Sequence, residues 1–504
     1  MARNERGAGL ERAPWKIFWI ALAVRIAYMT LARTWHMQPY NHHFAFGYEM
    51  GRIARALATG YGYADPFRGH TGPTAWVAPL FPWILGGVFR VFGVYTAVSA
   101  WMILAFDCVL NALMILTIWE IAARCFNRNV AWWSAWIWAL YPAAMQFAVK
   151  WVWEMTLTAF LFTWVLVLAL RMRKVGEADE SGPPAAPSTR QWAVFAVLWA
   201  LIALSDPTLT LFLPPCGIWI LLGVPRGRVW PGQIAKATLA AVIFAACVAP
   251  WMVRNAVVFH HFVPFRANFG AELYLGNNSD ANGLLMEYDH PFQDAQQLQL
   301  YRQMGELGYS KLRGDEAKRW IEAHPARFAE LSVRRFYFFW FEVPHAANHK
   351  WIVDFGRNLN YQFTTLAGLF GLALALRRRR PAAGLMLWAF VLLPVTYYFV
   401  SVSARFRHPL EPLIAILGVY LFQSAEKSWQ VRWFRGAGGK TLHHRGHRDH
   451  GEINSLGVSA KGEIQWRKPV RQVFFSVLSV SSVVEMVTGA APGRGPRRAG
   501  RGLR

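Results

Sequence analysis

Long apolar runs alternate with polar segments along most of the chain. A helix that crosses a membrane needs about 20 apolar residues, and ten runs approach or reach that length. They lie at about 17–31, 96–122, 129–148, 154–171, 191–206, 207–224, 234–252, 359–376, 383–402 and 409–424. The pattern predicts an all-α membrane protein with about ten transmembrane helices.

A further apolar run, Thr74–Gly93, contains Pro79, Pro82 and Arg90. We interpret it as a re-entrant or interfacial helix, because a crossing here would move the basic loops that follow to the outside. Basic loops prefer the cytoplasmic face of a membrane protein. The loops concerned contain Arg124, Arg128, Arg171–Lys174, Arg226, Arg228 and Arg377–Arg380.

This charge distribution predicts cytoplasmic termini and four external segments. Two are long loops at about 34–95 and 253–357, and two are the turns Lys150–Glu154 and Ser401–His408. Tyr48–Leu57 has its apolar residues at helical spacing, which predicts an amphipathic helix lying on the membrane surface. Asp315–Trp340 has the same periodicity and predicts a second external helix.

Composition agrees with a membrane protein. The chain is 55% hydrophobic and contains 26 Trp, a residue enriched where membrane meets water. The net charge of +24 does not indicate nucleic-acid binding, because the basic residues lie mainly in short loops and the tail. The four cysteines lie in or beside apolar runs and predict neither disulfides nor a metal site.

The tail is distinct from the rest. Residues 1–425 are predicted to form one multi-spanning domain, and 426–504 to be a basic tail, disordered or derived from a frameshift. His443–Glu452 can be compared with Phe475–Val484 read in the opposite direction. At nine of the ten paired positions the two residues can have codons that are reverse complements of each other. We hypothesise an inverted DNA repeat, and sequencing the gene tests this.

Several ordered motifs carry a family resemblance. The first loop contains RIARALATGYGY (52–63) and APLFP (78–82). Later in the chain come PWMVRN (250–255), HFVPFRANFG (261–270), LYLGNN (273–278), YRQMGELGY (301–309), AKRWIEAHPARFAELSVRRFYFFW (317–340) and RFRHPLEPL (405–413). Over about residues 15–424 the chain resembles bacterial membrane glycosyltransferases of the protein-O-mannosyltransferase and aminoarabinose-transferase type, in the GT-C superfamily.

The resemblance implies a bacterial plasma-membrane enzyme that takes a sugar from a polyprenyl-phosphate carrier at the non-cytoplasmic face. The acceptor would be a lipid, a glycan or a protein, and no nucleic acid is expected. A transporter or flippase of lipid-linked sugars and an inactive family member stay open as alternatives. No cofactor is predicted, although such transfer can use a divalent cation.

Transfer to a hydroxyl or amine needs a carboxylate that deprotonates or orients the acceptor. The relatives carry an Asp in the first external loop, four residues before a Tyr, and that register falls on Phe46 and Met50 here. We therefore predict Glu49 as the catalytic acid, with Asp65 as the weaker substitute. Glu154, at the external start of a span, is predicted to support it, with Lys150 as its partner.

A phosphate leaving group needs cations. Arg254 at the membrane edge is one candidate ligand, together with Lys150. Arg405, Arg407 and His408 form a second group, three cations within four residues on the predicted external face. Asp206 is predicted to cap a helix, and His260-His261 lacks a third ligand for a metal.

Overall fold

The computed structural model describes residues 13–37, 45–177, 186–224, 229–284, 289–342 and 351–437. These ranges form helices and loops, with two isolated β-bridges at Ala64–Pro73 and Leu284–Val402. The α-helices are α1 Trp15–Leu31, α2 Glu49–Ala58, α3 Leu80–Phe92, α4 Ala97–Cys125, α5 Arg128–Leu140, α6 Pro142–Val149, α7 Met155–Met172, α8 Thr189–Ala203, α9 Leu213–Leu222, α10 Trp230–Phe259, α11 Phe269–Gly276, α12 Ala295–Ala323, α13 Pro325–Phe341, α14 Trp351–Arg377, α15 Ala383–Phe399 and α16 Glu411–Ala437.

The prediction of an all-α membrane fold is confirmed. Within the described ranges, four helices are long and apolar enough to cross a membrane, namely α4, α7, α10 and the part of α14 from Asp354 to Arg377. Shorter apolar helices accompany them at Leu80–Phe92, Thr189–Ala203, Pro207–Leu222 and Ala383–Phe399. The total of ten spans stays a prediction.

Proline explains where two predicted spans divide. The 129–148 run is interrupted at Tyr141 and resumes with Pro142 as the first residue of α6. The 207–224 run begins as a 3₁₀ helix, Pro207–Phe212, before α9. Proline has no N–H to donate within a helix and fits best in a first turn, so each apolar run forms two helical pieces.

Two other boundaries differ from the sequence reading. Helix α10 continues through Pro250 to Phe259 and ends where His260 adopts a left-handed backbone conformation. The predicted loop start at 253 therefore lies inside a helix. The external helix predicted over Asp315–Trp340 is divided at His324, because Pro325 begins a new helix.

Helix α2 closely matches the predicted Tyr48–Leu57 segment and is largely buried by the rest of the protein; its position at a membrane surface stays a prediction. Seven of its ten residues, including Glu49 and Arg52, are buried, and α2 packs closely against α3. Gly86 of α3 allows this approach, because a Cβ there would come within 3.2 Å of the Leu57 Cβ. The polar residues of α2 thus point into the protein, where they can form a site.

The described helices form a bundle around α4, which packs against α1, α5, α6 and α7. The 3₁₀ helix Ala404–Leu410 packs against α7. One end of the bundle therefore collects the start of α7, the start of α2 and this 3₁₀ helix. Helix α16 extends to Ala437, past the predicted domain end at 425, and residues 438–504 lie outside the described ranges.

Candidate active site

The backbone that leads into α2 is unusual. Phe46, Gly47 and Tyr48 have φ values of 54°, 72° and 54°, in the left-handed region that only glycine adopts without cost. A Cβ on Gly47 would lie 2.2 Å from the carbonyl oxygen of Val152. The segment that leads into α2 therefore packs closely against the turn before α7, which brings Glu49 and Glu154 to one region.

Phe46, at the register of the relatives' Asp, belongs to the core. Its ring lies 5.3 Å from the ring of Phe89 and 5.3 Å from that of Tyr95, measured between centroids, and the side chain is 1% exposed. A carboxylate could not be held there without a polar partner. The candidate acids of this chain lie at other positions.

Glu49 is the first residue of α2 and its side chain is buried. Its Oε1 lies 3.3 Å from Nε2 of His290, a contact that joins the start of α2 to the segment between α11 and α12. Burial raises the pKa of Glu49 to about 7; Glu272 raises it further, and Arg405 and Arg266 oppose the rise. A carboxyl with this pKa can accept or release a proton near neutral pH.

Aromatic rings surround the Glu49–His290 pair. The Tyr48 ring lies 4.2 Å from the Phe292 ring and 5.8 Å from the Trp153 ring. On the other side, the rings of Phe67 and Trp76 lie 5.5 and 5.6 Å from the His290 imidazole. Such walls exclude water and offer flat apolar faces for a ligand.

Glu154 immediately precedes α7, and its buried Oε2 has no hydrogen-bond partner among the described residues. Burial raises its pKa to about 7; Arg405 counteracts this most strongly, while Asp206 adds to the rise. The predicted Lys150 partner is wrong. Helix α6 ends at Val149 and leaves Lys150 exposed on a non-helical turn, so the spacing of four residues does not bring the two side chains together.

Arg405 is a cation located at the candidate site. Its guanidinium carbon lies 4.0 Å from the centre of the Trp153 ring, and no hydrogen bond or ion pair to Arg405 is present among the described residues. Arg405 also interacts electrostatically with Glu49, Glu154 and Glu272. Its stacked, unpaired charge is suited to bind an anionic group.

A second cation, Arg266, was missed by the sequence reading. Its Nε donates to the carbonyl of Trp76 at 3.2 Å, and its charge acts on the same three glutamates. Glu272, the third of these, accepts from Asn268 Nδ2 at 2.9 Å. The available signal was the HFVPFRANFG motif, which contains Arg266 and which we used only to identify the family.

Arg407 and His408 do not join Arg405, contrary to the predicted cluster. Arg407 is fully buried, pairs with Glu411 at 2.6 Å and lies 3.5 Å from the Tyr361 ring centre. His408 is also fully buried, 4.6 Å from the Phe147 ring, and burial lowers its pKa to about 3. With three residues per turn in a 3₁₀ helix, Arg407 points about 120° away from Arg405. His408 lies three residues after Arg405, so helix period does not separate these two; His408 is instead enclosed by the Phe147 and Trp138 rings.

Arg254 has its hydrogen-bonding capacity engaged within the protein. Its Nη1 donates to the Thr74 carbonyl and its Nη2 to the Tyr63 carbonyl, both at 2.7 Å. These bonds tie α10 to the first external loop and favour a structural role. Phosphate binding by Arg254 stays an untested prediction.

A buried carboxylate on α12 holds the same loop from the other side. Glu306 accepts from the Ala75 backbone N–H at 2.7 Å and from the Tyr301 hydroxyl at 2.8 Å, and it also accepts from the Thr74 hydroxyl. Burial raises its pKa to about 7, although these three hydrogen bonds oppose the rise. Glu306 thereby holds Thr74 and Ala75 in place. The next residue, Trp76, has its ring against the His290 imidazole.

We expect Glu306→Gln to destabilise the protein by about 1–3 kcal/mol, because the new amide would turn a donor towards donors that now meet a carboxylate. Thermal unfolding of the full chain in detergent would show a lower midpoint. Glu322→Gln, an exposed change on the same helix, is the control and should leave the midpoint unchanged. Equal midpoints for the two variants would contradict the network.

The remaining candidates have structural roles. Asp65 is buried and accepts from the backbone N–H groups of Thr71 and Gly72 while facing Arg55 and His70. Asp206 caps the Pro207–Phe212 helix through Thr208, as predicted. In the described ranges, no three His, Cys, Asp or Glu side chains come close enough to hold a metal ion.

Comparison with known proteins shows what the chain is similar to. A family model described as dolichyl-phosphate-mannose-protein mannosyltransferase matches residues 76–253. The apo oligosaccharyltransferase of Archaeoglobus fulgidus matches 97% of this chain with a TM-score of 0.51 and 12% identity. The same enzyme tethered to an acceptor peptide with an NVT sequon matches 95%, with a TM-score of 0.50 and 14% identity.

This chain spans 57% and 56% of the archaeal protein in those two structures. ArnT from Cupriavidus metallidurans bound to undecaprenyl phosphate matches 82% of this chain and 78% of its own, with a TM-score of 0.37 and 14% identity. No curated protein matches the sequence. At these identities the two archaeal matches show a shared fold.

Proposed function

We propose that this multi-pass membrane protein, which has the GT-C fold of membrane glycosyltransferases, transfers a sugar from a polyprenyl-phosphate carrier. The acceptor would approach at the end of the bundle that contains Glu49, the face predicted to be external. The observation that carries the proposal is the buried Glu49–His290 pair beside two arginines, Arg266 and Arg405, that face three glutamates.

The reaction would proceed with inversion. The acceptor oxygen or nitrogen forms a bond to the anomeric carbon while the bond from that carbon to the phosphate oxygen breaks. The acceptor's proton passes to the Glu49 carboxylate, and His290 orients that carboxylate through the 3.3 Å contact. The polyprenyl phosphate leaves with the bonding electrons, and Arg405 and Arg266 neutralise its developing charge.

Glu154 would assist by its charge rather than by touching the acceptor. Together with Glu49 and Glu272 it holds Arg405 and Arg266 in place through opposite charge. The arginines are thus positioned before the donor binds, which reduces the reorganisation needed in the transition state. The identities of the sugar and of the acceptor are to be determined by assay.

An in-vitro assay tests the function directly. The purified full chain would be incubated with a panel of polyprenyl-phosphate sugars and with lipid, glycan and peptide acceptors, and we expect transfer from at least one donor. The absence of transfer from every donor would favour the transporter or the inactive family member. Movement of a lipid-linked sugar from one leaflet of a vesicle membrane to the other would then distinguish the transporter from the inactive family member.

We expect the transfer rate to rise with pH through about 7, with a slope near tenfold per pH unit below that value. Below the pKa of about 7 Glu49 is protonated and cannot accept a proton, and above it the carboxylate is available. Initial rates at saturating substrate measure this profile.

Glu154 has a similar pKa, so variants are needed to decide which of the two carboxyls produces the pH dependence of the rate. Glu154→Gln should lower the rate yet keep the rise near pH 7. A flat profile in Glu154→Gln would transfer the role of base from Glu49 to Glu154.

A further inference from the structure

Glu272 lies at the candidate active site but takes no direct part in the transfer step described above. It belongs to the first turn of α11, four residues after Asn268, and its side chain is partly exposed. Helix α11 packs against α12. Gly270 allows the close approach, because a Cβ there would lie 3.1 Å from the Cα of Gly314. The position of α11 is therefore fixed by close packing.

A backbone hydrogen bond connects the start of α11 to the segment beside His290. The Ala267 N–H donates to the carbonyl of Ala75 at 2.9 Å. The residue after Ala75 is Trp76, whose ring lies 5.6 Å from the His290 imidazole, and His290 in turn contacts Glu49 at 3.3 Å. This connection fixes where α11 begins relative to the Glu49–His290 pair.

One carboxylate oxygen of Glu272 is free. Its Oε1 accepts from Asn268 Nδ2 at 2.9 Å, and Asn268 is itself buried, which holds the carboxylate in one orientation. Within the described residues its Oε2 has no hydrogen-bond partner and the carboxylate forms no ion pair. Unlike the buried Oε2 of Glu154, this atom is accessible to solvent. A fixed carboxylate with an accessible free oxygen can accept a hydrogen bond from a bound ligand.

Glu272 neighbours both the base and the cations of the proposed reaction. Its charge acts on Glu49, and the charges of Arg266 and Arg405 act on Glu272. No ion pair joins Glu272 to either arginine in the part of the chain that the structure describes, so these opposite charges face each other across a gap. In an inverting transfer the anomeric carbon lies between the leaving phosphate and the acceptor atom that the base deprotonates. A side chain beside both the base and the phosphate-binding cations therefore lies alongside the sugar.

We propose that Glu272 determines which sugar is transferred, by accepting a hydrogen bond from a hydroxyl group of that sugar through Oε2. The inference rests on the proposed function and adds to it a residue that touches the donor. A hydroxyl fits this position, because its O–H donates to a carboxylate and it brings no negative charge towards the neighbouring glutamates. A sugar that lacks this hydroxyl would leave the oxygen without its partner, which is how a polar site rejects an analogue.

The contribution of the sugar to binding can be measured without turnover. The full chain in detergent would be titrated with undecaprenyl phosphate, and with undecaprenyl phosphate carrying each of several hexoses and pentoses. The ratio of the two affinities gives the contribution of the sugar. For the sugar that binds most tightly, one of its monodeoxy forms should bind the wild type about tenfold more weakly, through loss of a charge-assisted hydrogen bond.

Glu272→Gln should bind the intact sugar donor about tenfold more weakly and show no further loss with that monodeoxy form. The amide oxygen would keep the bond from Asn268, so the NH2 group would take the place of the free carboxylate oxygen. Affinity for undecaprenyl phosphate alone should not fall, which also shows that the variant is folded. Glu272→Asp keeps a carboxylate one methylene further back and should give an intermediate loss, and it provides the same test if Glu272→Gln does not fold.

Glu154→Gln is the matched control, because it removes a negative charge that acts on the same two arginines. Its ratio of affinities for the carrier with and without sugar should equal that of the wild type. An equal fall of this ratio in Glu154→Gln and Glu272→Gln would overturn the proposal in favour of a general effect of charge. Additive losses from the variant and the monodeoxy donor, or equal wild-type affinities with and without every sugar, would also overturn it. Since no turnover is needed, a failure of the transfer assay alone would contradict the proposed function and leave this result standing.

Discussion

Replacing Glu49 by Gln is expected to reduce sugar transfer by about 10²–10⁴-fold, the usual contribution of a general base. The substitution keeps the side chain's size and its hydrogen-bonding reach towards His290, but an amide cannot accept the acceptor's proton. Loss of turnover with an intact fold is therefore the specific signature. Initial transfer rates and the thermal midpoint of wild type and variant measure the two quantities.

Binding of the carrier separates this role from a structural one. Retention of polyprenyl phosphate by Glu49→Gln should match the wild type, because Arg405 and Arg266 remain. Glu330→Gln, an exposed acid on α13, controls for general loss of charge and should transfer normally. Undiminished transfer by Glu49→Gln would remove Glu49 from the mechanism. If the variant instead lost both carrier binding and its fold, the role of Glu49 would be structural.

Arg405 and Arg407 are expected to respond differently although only one residue separates them. Arg407→Gln should lower the free energy of unfolding by about 3–5 kcal/mol, because it leaves the buried Glu411 without its charged partner. Arg405→Gln should leave stability nearly unchanged and reduce transfer about 10- to 100-fold, through the lost charge-assisted contact with phosphate.

Each of the two variants serves as the control for the other, since both remove one arginine charge from the same 3₁₀ helix. Thermal unfolding in detergent and transfer rates at varied donor concentration are measured for both, and Arg405→Gln should show the larger rise in KM for the donor. A stable Arg407→Gln that is inactive would restore Arg407 as a phosphate ligand. An Arg405→Gln that unfolds would withdraw Arg405 from that role.

The spans were predictable because each apolar run is a local property of the sequence. Helices α4 and α7 begin and end within about three residues of their predicted limits. Interruptions by proline were harder to predict. Pro142 begins a new helix whereas Pro250 lies inside one, and neighbouring packing decides between these outcomes.

The site was predictable only in part, because it is assembled across the chain. Glu49 meets His290 from the second external loop, 241 positions later, and no local pattern indicates that pairing. Arg407 and His408 do not cluster with Arg405 because each is buried among partners from distant parts of the chain, Arg407 beside Tyr361 and His408 beside Phe147. Arg266 and Glu306 lie in motifs whose individual roles require the folded structure.

The motif glycines show a similar limit. A Cβ at Gly276, in LYLGNN, would lie 1.6 Å from the Val400 carbonyl oxygen, and one at Gly270 would lie 2.0 Å from that of Ser310. Arg335 donates to the Asn277 side chain at 3.1 Å and also to the Gly276 carbonyl. Much of this sequence signature therefore records close packing rather than chemistry, which is why it identified the family more readily than the catalyst.

The left-handed backbone of Phe46, Gly47 and Tyr48 has a consequence for anyone who would transplant this site. The direction in which Glu49 leaves the chain is set by these three residues and by the contact of Gly47 with Val152. A carboxylate grafted alone onto an ordinary helix start would point elsewhere. The smallest segment that could be grafted with Glu49 is therefore Phe46, Gly47 and Tyr48 together with the turn that contains Val152.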